Sequence, residues 1–295
     1  MAQRSEKTEN TGISDPEAFA FVQALAAELS TGKVELPSFP DIAMRVRQVL
    51  ADESVSPEKV VRVVGSEPAL AARLLQLANS AALNFSGKAV TDLRTAIARM
   101  GFNMVRSAAI AFAMSQLKKV DSLKGLEQPL DVLWRRSAGV AAMSHAVARR
   151  LAKVNPDTAL LAGLLHGIGQ LYILTRTAKH PDLFNNEAVY HNIVRDWHAN
   201  IAKALLENWD MAEEIVEAVA NYEDVGRVHT GTTDLTDVLT VGYLLASYRE
   251  HPESMELNMQ GVTAFERMQL DRAGYDKLIQ ESGDEIAAVQ AALGR

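Results

Sequence analysis

The chain of 295 residues contains no cysteine. That single absence removes disulfides, thiolate metal sites and cysteine nucleophiles. Positive charge is in short supply. Thirty Lys and Arg face 37 Asp and Glu, a formal net charge of −7. An acidic surface repels phosphate backbones, so general nucleic-acid binding is not expected. No apolar run approaches the roughly 20 residues that a bilayer span needs. Met1 to Asn10 is polar and charged and lacks the apolar stretch of a secretory signal. These absences predict a cytoplasmic protein without membrane insertion. No Gly-x-Ser-x-Gly elbow, P-loop or dinucleotide glycine fingerprint occurs, so there is no sign of nucleophilic catalysis or of a strand-based phosphate cradle.

Aromatics make up 6% of residues and the hydrophobic fraction is 48%, dominated by alanine and leucine. That balance favours helix over strand. Helix punctuation recurs along the chain. Ser14-Asp15-Pro16 reads as a cap with proline just inside the helix, and Phe19, Val22, Leu25 and Leu29 form its stripe. Leu36 to Pro40 reads as an extended link. Ser56-Pro57-Glu58 and Ser66-Glu67-Pro68 open further helices. In the second, Leu70, Leu74, Leu77 and Ala78 fall on one face. Thr91 is expected to cap a helix ending at Gly101, and Asn103 the next. Residues 118–130 read as a linker. A long helix over Asp131 to Leu151 carries the stripe Trp134, Ala138, Ala141, His145 and Ala148. Asn155-Pro156-Asp157 starts a helix expected to run through Gly163–Gly169 until His180-Pro181-Asp182 breaks it. Further helices are predicted over 187–208 and 211–223, with Glu213 and Glu214 solvated and Ile215 and Val219 inward. No convincing strand pattern is present.

Several ordered segments resemble one family. They are Leu36-Pro37-x-x-Pro40, the stretch Ser66 to Ala81, the Ala96-Ile97-x-x-Met100-Gly101 segment, Leu133-Trp134, Gly163-Leu164-Leu165-His166-Gly167-Ile168-Gly169, and His198 to Trp209. Together they resemble an HDOD domain, a divergent branch of the HD superfamily of metal-dependent phosphohydrolases, over about residues 36–230. The resemblance implies an all-α fold. An N-terminal helical bundle (36–118) would pack on an HD-like half (130–230), preceded by a disordered segment (1–13) and a helix with its link (14–35). A C-terminal helical extension (231–295) would follow.

The active relatives bind metal through adjacent His and Asp side chains on one helix, with further His and Asp residues on flanking helices. Here the pair is His166-Gly167, and glycine has no ligand atom. The position of the first His aligns with Arg136, a permanent cation where a metal would sit. A later His aligns with His198, the His-His stretch with Asn221-Tyr222, and the closing Asp loosely with Gly242-Tyr243. The expected consequence is a vestigial pocket of Arg136, His166, Gly167, His198 and Asn221, with no catalytic residue, no metal and no cofactor. His166 and His198 then serve as buried, hydrogen-bonded imidazoles. His145 reads as a core or partly exposed histidine, and His180, His191, His229 and His251 as surface residues. Arg136 either holds an anion such as the phosphate of a nucleotide, together with His166, His198 and Asn221, or pairs with an acidic residue or solvent. Asn79 and Ser80, the other family marker, are expected to be structural, closing the end of a helix.

The resemblance therefore implies a non-catalytic module of bacterial signal transduction that works through a signalling protein partner. The alternatives are a metal-dependent phosphohydrolase acting on a nucleotide or cyclic dinucleotide, and a metal-free nucleotide sensor. A homodimer through the terminal helices is compatible with the sequence.

Overall fold

The computed structural model describes residues 16–32, 34, 36, 41–52, 54–80, 83–84, 87–117, 120–178, 180, 186–249 and 259–294. The expected disorder at 1–13, the cap at Ser14-Asp15, most of the 36–40 link, the Pro181-Asp182 break and His251 lie outside them. The described residues form α1 (Pro16–Thr31), α2 (Asp41–Leu50), α3 (Pro57–Gly65), α4 (Pro68–Ala78), α5 (Leu93–Gln116), α6 (Glu127–Leu151), α7 (Pro156–Leu165), α8 (Ile168–Thr177), α9 (Glu187–Asn208), α10 (Glu213–Asn221), α11 (Leu235–Tyr248), α12 (Thr263–Met268) and α13 (Arg272–Gly294). No strand occurs among them.

Short-range chemistry sets most helix starts. Ser56 Oγ accepts the Lys59 amide at 3.3 Å, with Pro57 opening α3. Asn155 Oδ1 accepts the amides of Asp157 and Thr158 at the head of α7. Each cap satisfies an amide that has no partner within the helix. At the head of α5 the cap is Asp92, not the expected Thr91, and its Oδ1 accepts Thr95 N at 2.8 Å. Asn103 caps nothing. Helical geometry breaks at Gly101 (φ 73°, ψ 165°), where the first segment of α5 ends as the sequence leads one to expect, and Asn103 lies inside the second segment. Only glycine holds those values without strain.

Helices α2 to α5 form the N-terminal bundle, with Leu70, Leu74, Leu77 and Ala78 of α4 all buried. The other half is built around α6. Helices α7, α11 and α13 all pack along it, and its stripe from Trp134 to Ala148 is buried. Two glycines allow close helix crossings. A Cβ on Gly163 would lie 2.5 Å from Ala141 Cα, and one on Gly242 would lie 2.9 Å from Ser144 Cα. The close approach places α7 and α11 directly on the α6 backbone.

Three features depart from the sequence expectations. The apolar stretch 156–177 is not one helix, because α7 ends at Leu165 and α8 begins at Ile168. Pro156–Thr177 is also long and apolar enough by composition to cross a membrane, contrary to the expectation that no run is, and 89% of its apolar window is buried inside the fold. Finally, 231–295 is more than an appendage. Helix α11 packs on α6, α7 and α10, while α13 lies along α6 and reaches α4 and α5. Near its end, Leu293 O accepts from Arg73 of α4. Helix α1 docks on the second half, where Glu28 pairs with Arg176 at 2.8 Å and Asn208 Nδ2 donates to Gly32 O at 2.8 Å.

Candidate functional site

The break between α7 and α8 positions the first site residue. His166 follows the last residue of α7, 2% exposed, with its Nδ1 donating to Gly163 O at 2.7 Å. That bond leaves Nε2 as the imidazole's acceptor. Burial first, then the charges of Arg136 and His198, push the His166 pKa down to about 4. The ring is therefore neutral near pH 7.

Two tyrosine rings meet it edge-on. Tyr222, just after α10, lies 5.5 Å from the His166 ring centroid, and Tyr243 of α11 lies 5.7 Å away. The tyrosines are 4.9 Å from each other. Arg136 of α6 covers the outer side. Its guanidinium stands 4.8 Å from the Tyr243 ring centroid and donates to the Tyr243 hydroxyl. Burial raises both phenol pKa values, that of Tyr222 well above the ordinary one. Tyr222 and Tyr243, at or beside residues that the family resemblance matches to later ligands, pack their rings around His166.

His198, on α9, is also buried. Its Nε2 lies 2.9 Å from Glu223 Oε2, and Tyr222 donates to Glu223 Oε1 at 3.0 Å. The His198 bond first, then the Tyr222 hydroxyl and the Arg136 charge, hold the Glu223 carboxyl below the usual carboxylate range. His198 Nδ1 is buried with no partner among the described residues. Its backbone is pinned by a close helix crossing, since a Cβ on Gly169 would fall 1.9 Å from His198 O.

The sequence-derived constellation comes together only in part. Arg136 and His198 line one groove of about 710 Å³, with Glu223, Tyr190 and Arg195. His166 does not line it and is enclosed among the rings. Asn221 is elsewhere, its amide donating to Glu217 O at 2.8 Å and Glu217 Oε2 at 3.0 Å along its own helix. An anion held jointly by Arg136, His166, His198 and Asn221 is therefore not what this geometry offers. Gly167 has an ordinary φ of −89°. A Cβ there would meet Ser137 Oγ at 3.3 Å and Leu133 Cδ2 at 3.7 Å, so this position is packed against α6 side chains.

These residues do not fit a divalent ion. One imidazole nitrogen faces phenol rings, the other histidine is held by a carboxylate, and a guanidinium supplies like charge. A dication in a helical core needs several inward donors to replace its water. Among the described residues, the one group of three whose ligand atoms lie within 4.8 Å of one another is His229, Asp234 and Asp237. It is already neutralised: Arg227 Nη2 lies 2.6 Å from Asp234 Oδ2, and Arg267 Nε 3.4 Å from Asp237 Oδ2. His229, expected on the surface, is mostly buried and lies 2.9 Å from Asp237 Oδ2. The network ties the 226–234 loop and α12 to α11.

Asn79 closes the end of α4. Its Nδ2 donates to Leu75 O at 2.9 Å and Val90 O at 2.8 Å, while its Oδ1 accepts Val90 N at 2.7 Å. One side chain thus pairs with the segment before α5 much as a strand would. Ser80 Oγ is buried without a partner among the described residues. Of the remaining histidines, His145 is buried with Nδ1 3.2 Å from Glu285 Oε1 of α13, His180 packs edge-on to Phe21, and His191 is exposed.

The sequence matches the HDOD domain family over residues 36–225, and the chain belongs to that family. Its fold is shared with solved structures. A protein from Shewanella amazonensis SB2B, provisionally named a metal-dependent phosphohydrolase, superposes with a TM-score of 0.75 at 24% identity, covering 94% of this chain and 99% of that one. An HDOD domain protein of unknown function from Geobacter sulfurreducens gives 0.63 at 23%, covering 92% and 96%. A protein from Marinobacter aquaeolei VT8, provisionally named a signal transduction protein, gives 0.62 at 20%, covering 97% and 68%. At these identities the likeness concerns the fold alone. No curated protein matches the chain.

Proposed function

We propose that this HDOD protein is a non-catalytic regulatory module of bacterial signal transduction, acting in the cytoplasm by association with a signalling protein. The observation that carries this reading is the filled site. Gly167 supplies no ligand atom beside His166, Ser137 and Leu133 of α6 lie against that position, and Tyr222 and Tyr243 pack on the imidazole. Without converging donors there is nothing to lower the pKa of a bound water, which is how this class of site generates its nucleophile. Family membership and the provisional name of the Marinobacter neighbour are in keeping with a regulatory role.

Elemental analysis tests it, on protein purified without a metal-affinity step and assayed on a generic phosphodiester. Sub-stoichiometric iron, manganese and zinc together with no hydrolysis are expected. Stoichiometric metal with turnover establishes the hydrolase instead. Co-purification from the native cell followed by mass spectrometry then identifies the partner.

A further inference from the structure

A second cleft of about 500 Å³ lies between α6, α11 and α13 and shares Val132 and Arg136 with the His198 groove. Three arginines line it: Arg135 and Arg136 of α6, and Arg249 at the end of α11. No Asp or Glu lines it among the described residues. This concentration of positive charge is unexpected in a chain of net charge −7. Arg135 pairs with Asp131 at 3.0 Å, and the Arg136 charge also acts on Glu223 of the His198 groove. Arg136 donates to the Tyr243 hydroxyl and Arg249 to the Gln290 amide oxygen at 3.2 Å, both neutral groups. The apolar part of the lining is Val132, half exposed on α6, with Val140, Met143 and Ile286 almost wholly buried beneath the floor.

We propose that this cleft binds a small phosphoester bearing one apolar moiety, the chemistry of a mononucleotide. Guanidinium groups present planar, permanently charged donors suited to phosphate oxygens. The volume lies in the range of small-molecule sites, and Val132 with the arginine stems offers a base its apolar contact. The site differs from the family's metal hollow, which is closed by the tyrosines on the far side of Arg136. Because Ile286 and Gln290 come from α13, an occupant would bridge the C-terminal helix to α6 and α11. Binding there would tighten the docking of the helix that also reaches the N-terminal bundle.

The test is a thermal-shift and calorimetric titration of the full chain at constant ionic strength. The probes are AMP, GMP and ATP, with adenosine and inorganic phosphate as half-ligands and anionic phospholipid vesicles as the other phosphoester source. At least one nucleotide should stabilise the protein saturably, with adenosine and phosphate each much weaker. Arg249→Gln should weaken that nucleotide by roughly tenfold or more, the loss expected for one charge-assisted contact. Arg195→Gln, in the other groove, should leave it unchanged. Arg249 is exposed, so its replacement leaves the unliganded Tm nearly unaltered. Slower hydrogen exchange in α13 on binding is the second expected readout. The proposal is overturned by any of three results: no saturable shift with any nucleotide or only one that sulfate reproduces, binding lost in Arg195→Gln but kept in Arg249→Gln, or binding to vesicles alone.

Discussion

Glycine is the least favourable helix residue after proline, so replacing one with alanine inside a helix ordinarily stabilises by about 0.5–1 kcal/mol. In this protein the sign should depend on the position. At Gly283 of α13 an added Cβ meets nothing within 4 Å, so Gly283→Ala should show the full propensity gain. At Gly169 of α8 the added Cβ would sit 1.9 Å from His198 O, 2.7 Å from His198 C and 3.1 Å from Ala202 N. All three obstacles are backbone, so no rotamer change relieves them. Helices α8 and α9 must separate, and the cost should be about 3 kcal/mol or more, at the upper end for overpacking. The two variants should therefore differ by about 4 kcal/mol, a large share of a typical stability of about 5–15 kcal/mol. Gly167→Ala, facing the rotatable Ser137 hydroxyl at 3.3 Å, serves as a nearby control and should stay within about 1 kcal/mol of wild type. Urea unfolding followed by helical circular dichroism measures all three, with midpoints read at unchanged slope. Gly169→Ala as stable as wild type would show that the α8–α9 crossing is not backbone-limited, and the account of how His198 is positioned would fail with it.

Three more outcomes follow from other parts of the structure. His166 has an ordinary pKa of 6.5 and a folded value of about 4, so the unfolded chain takes up the proton first as pH falls. Stability is full above pH 6.5, declines between 6.5 and 4 by about 3 kcal/mol, and levels below that. His166→Asn should flatten this slope in urea titrations across that window, and an unchanged slope would assign the pH dependence to other groups. Asn79→Ala removes two hydrogen bonds joining α4 to Val90 and a third to Leu75 O within α4, and should cost about 2–3 kcal/mol, read as a lower urea midpoint; a neutral result would deny Asn79 that joining role. Asp237→Asn takes the charge from a buried carboxylate facing Arg227, His229 and Arg267 and should cost about 3 kcal/mol, with faster hydrogen exchange in the 226–234 loop. Protection unaltered in that loop would mean that the network does not hold it.

The parts of the fold readable from sequence are those with local causes. Asn155-Pro156 marks the head of α7 because a side chain and two amides within three residues settle it. The 187–208 helix and the buried stripe of α6 follow from periodicity in the same way. The break at His166-Gly167 was not readable. Helices α7 and α8 are buried on nearly every side, so no polar face changes register across the break. Residue 92 and residue 91 are equally good caps on paper, and only the bond to Thr95 decides between them.

The site shows the same division more sharply. Missing ligands can be read one position at a time, and Gly167 and Arg136 announce them. What replaces a ligand is a question of volume, and volume is settled by residues far apart in the chain. A hollow stripped of its metal and carboxylate cannot stay empty in a close-packed core without cost. Tyr222, just after α10, and Tyr243, midway along α11, meet that need, 4.9 Å apart in space and 21 positions apart in sequence. A signal was present: both tyrosines stand at or beside positions that the family resemblance matches to ligands, and large aromatics are scarce in this chain. Their coincidence with the vacated positions is a stronger indication of a closed site than the loss of any one ligand. A single lost ligand leaves a weakened metal centre, whereas two rings and a guanidinium around His166 favour the proposed non-catalytic reading over a weakened hydrolase.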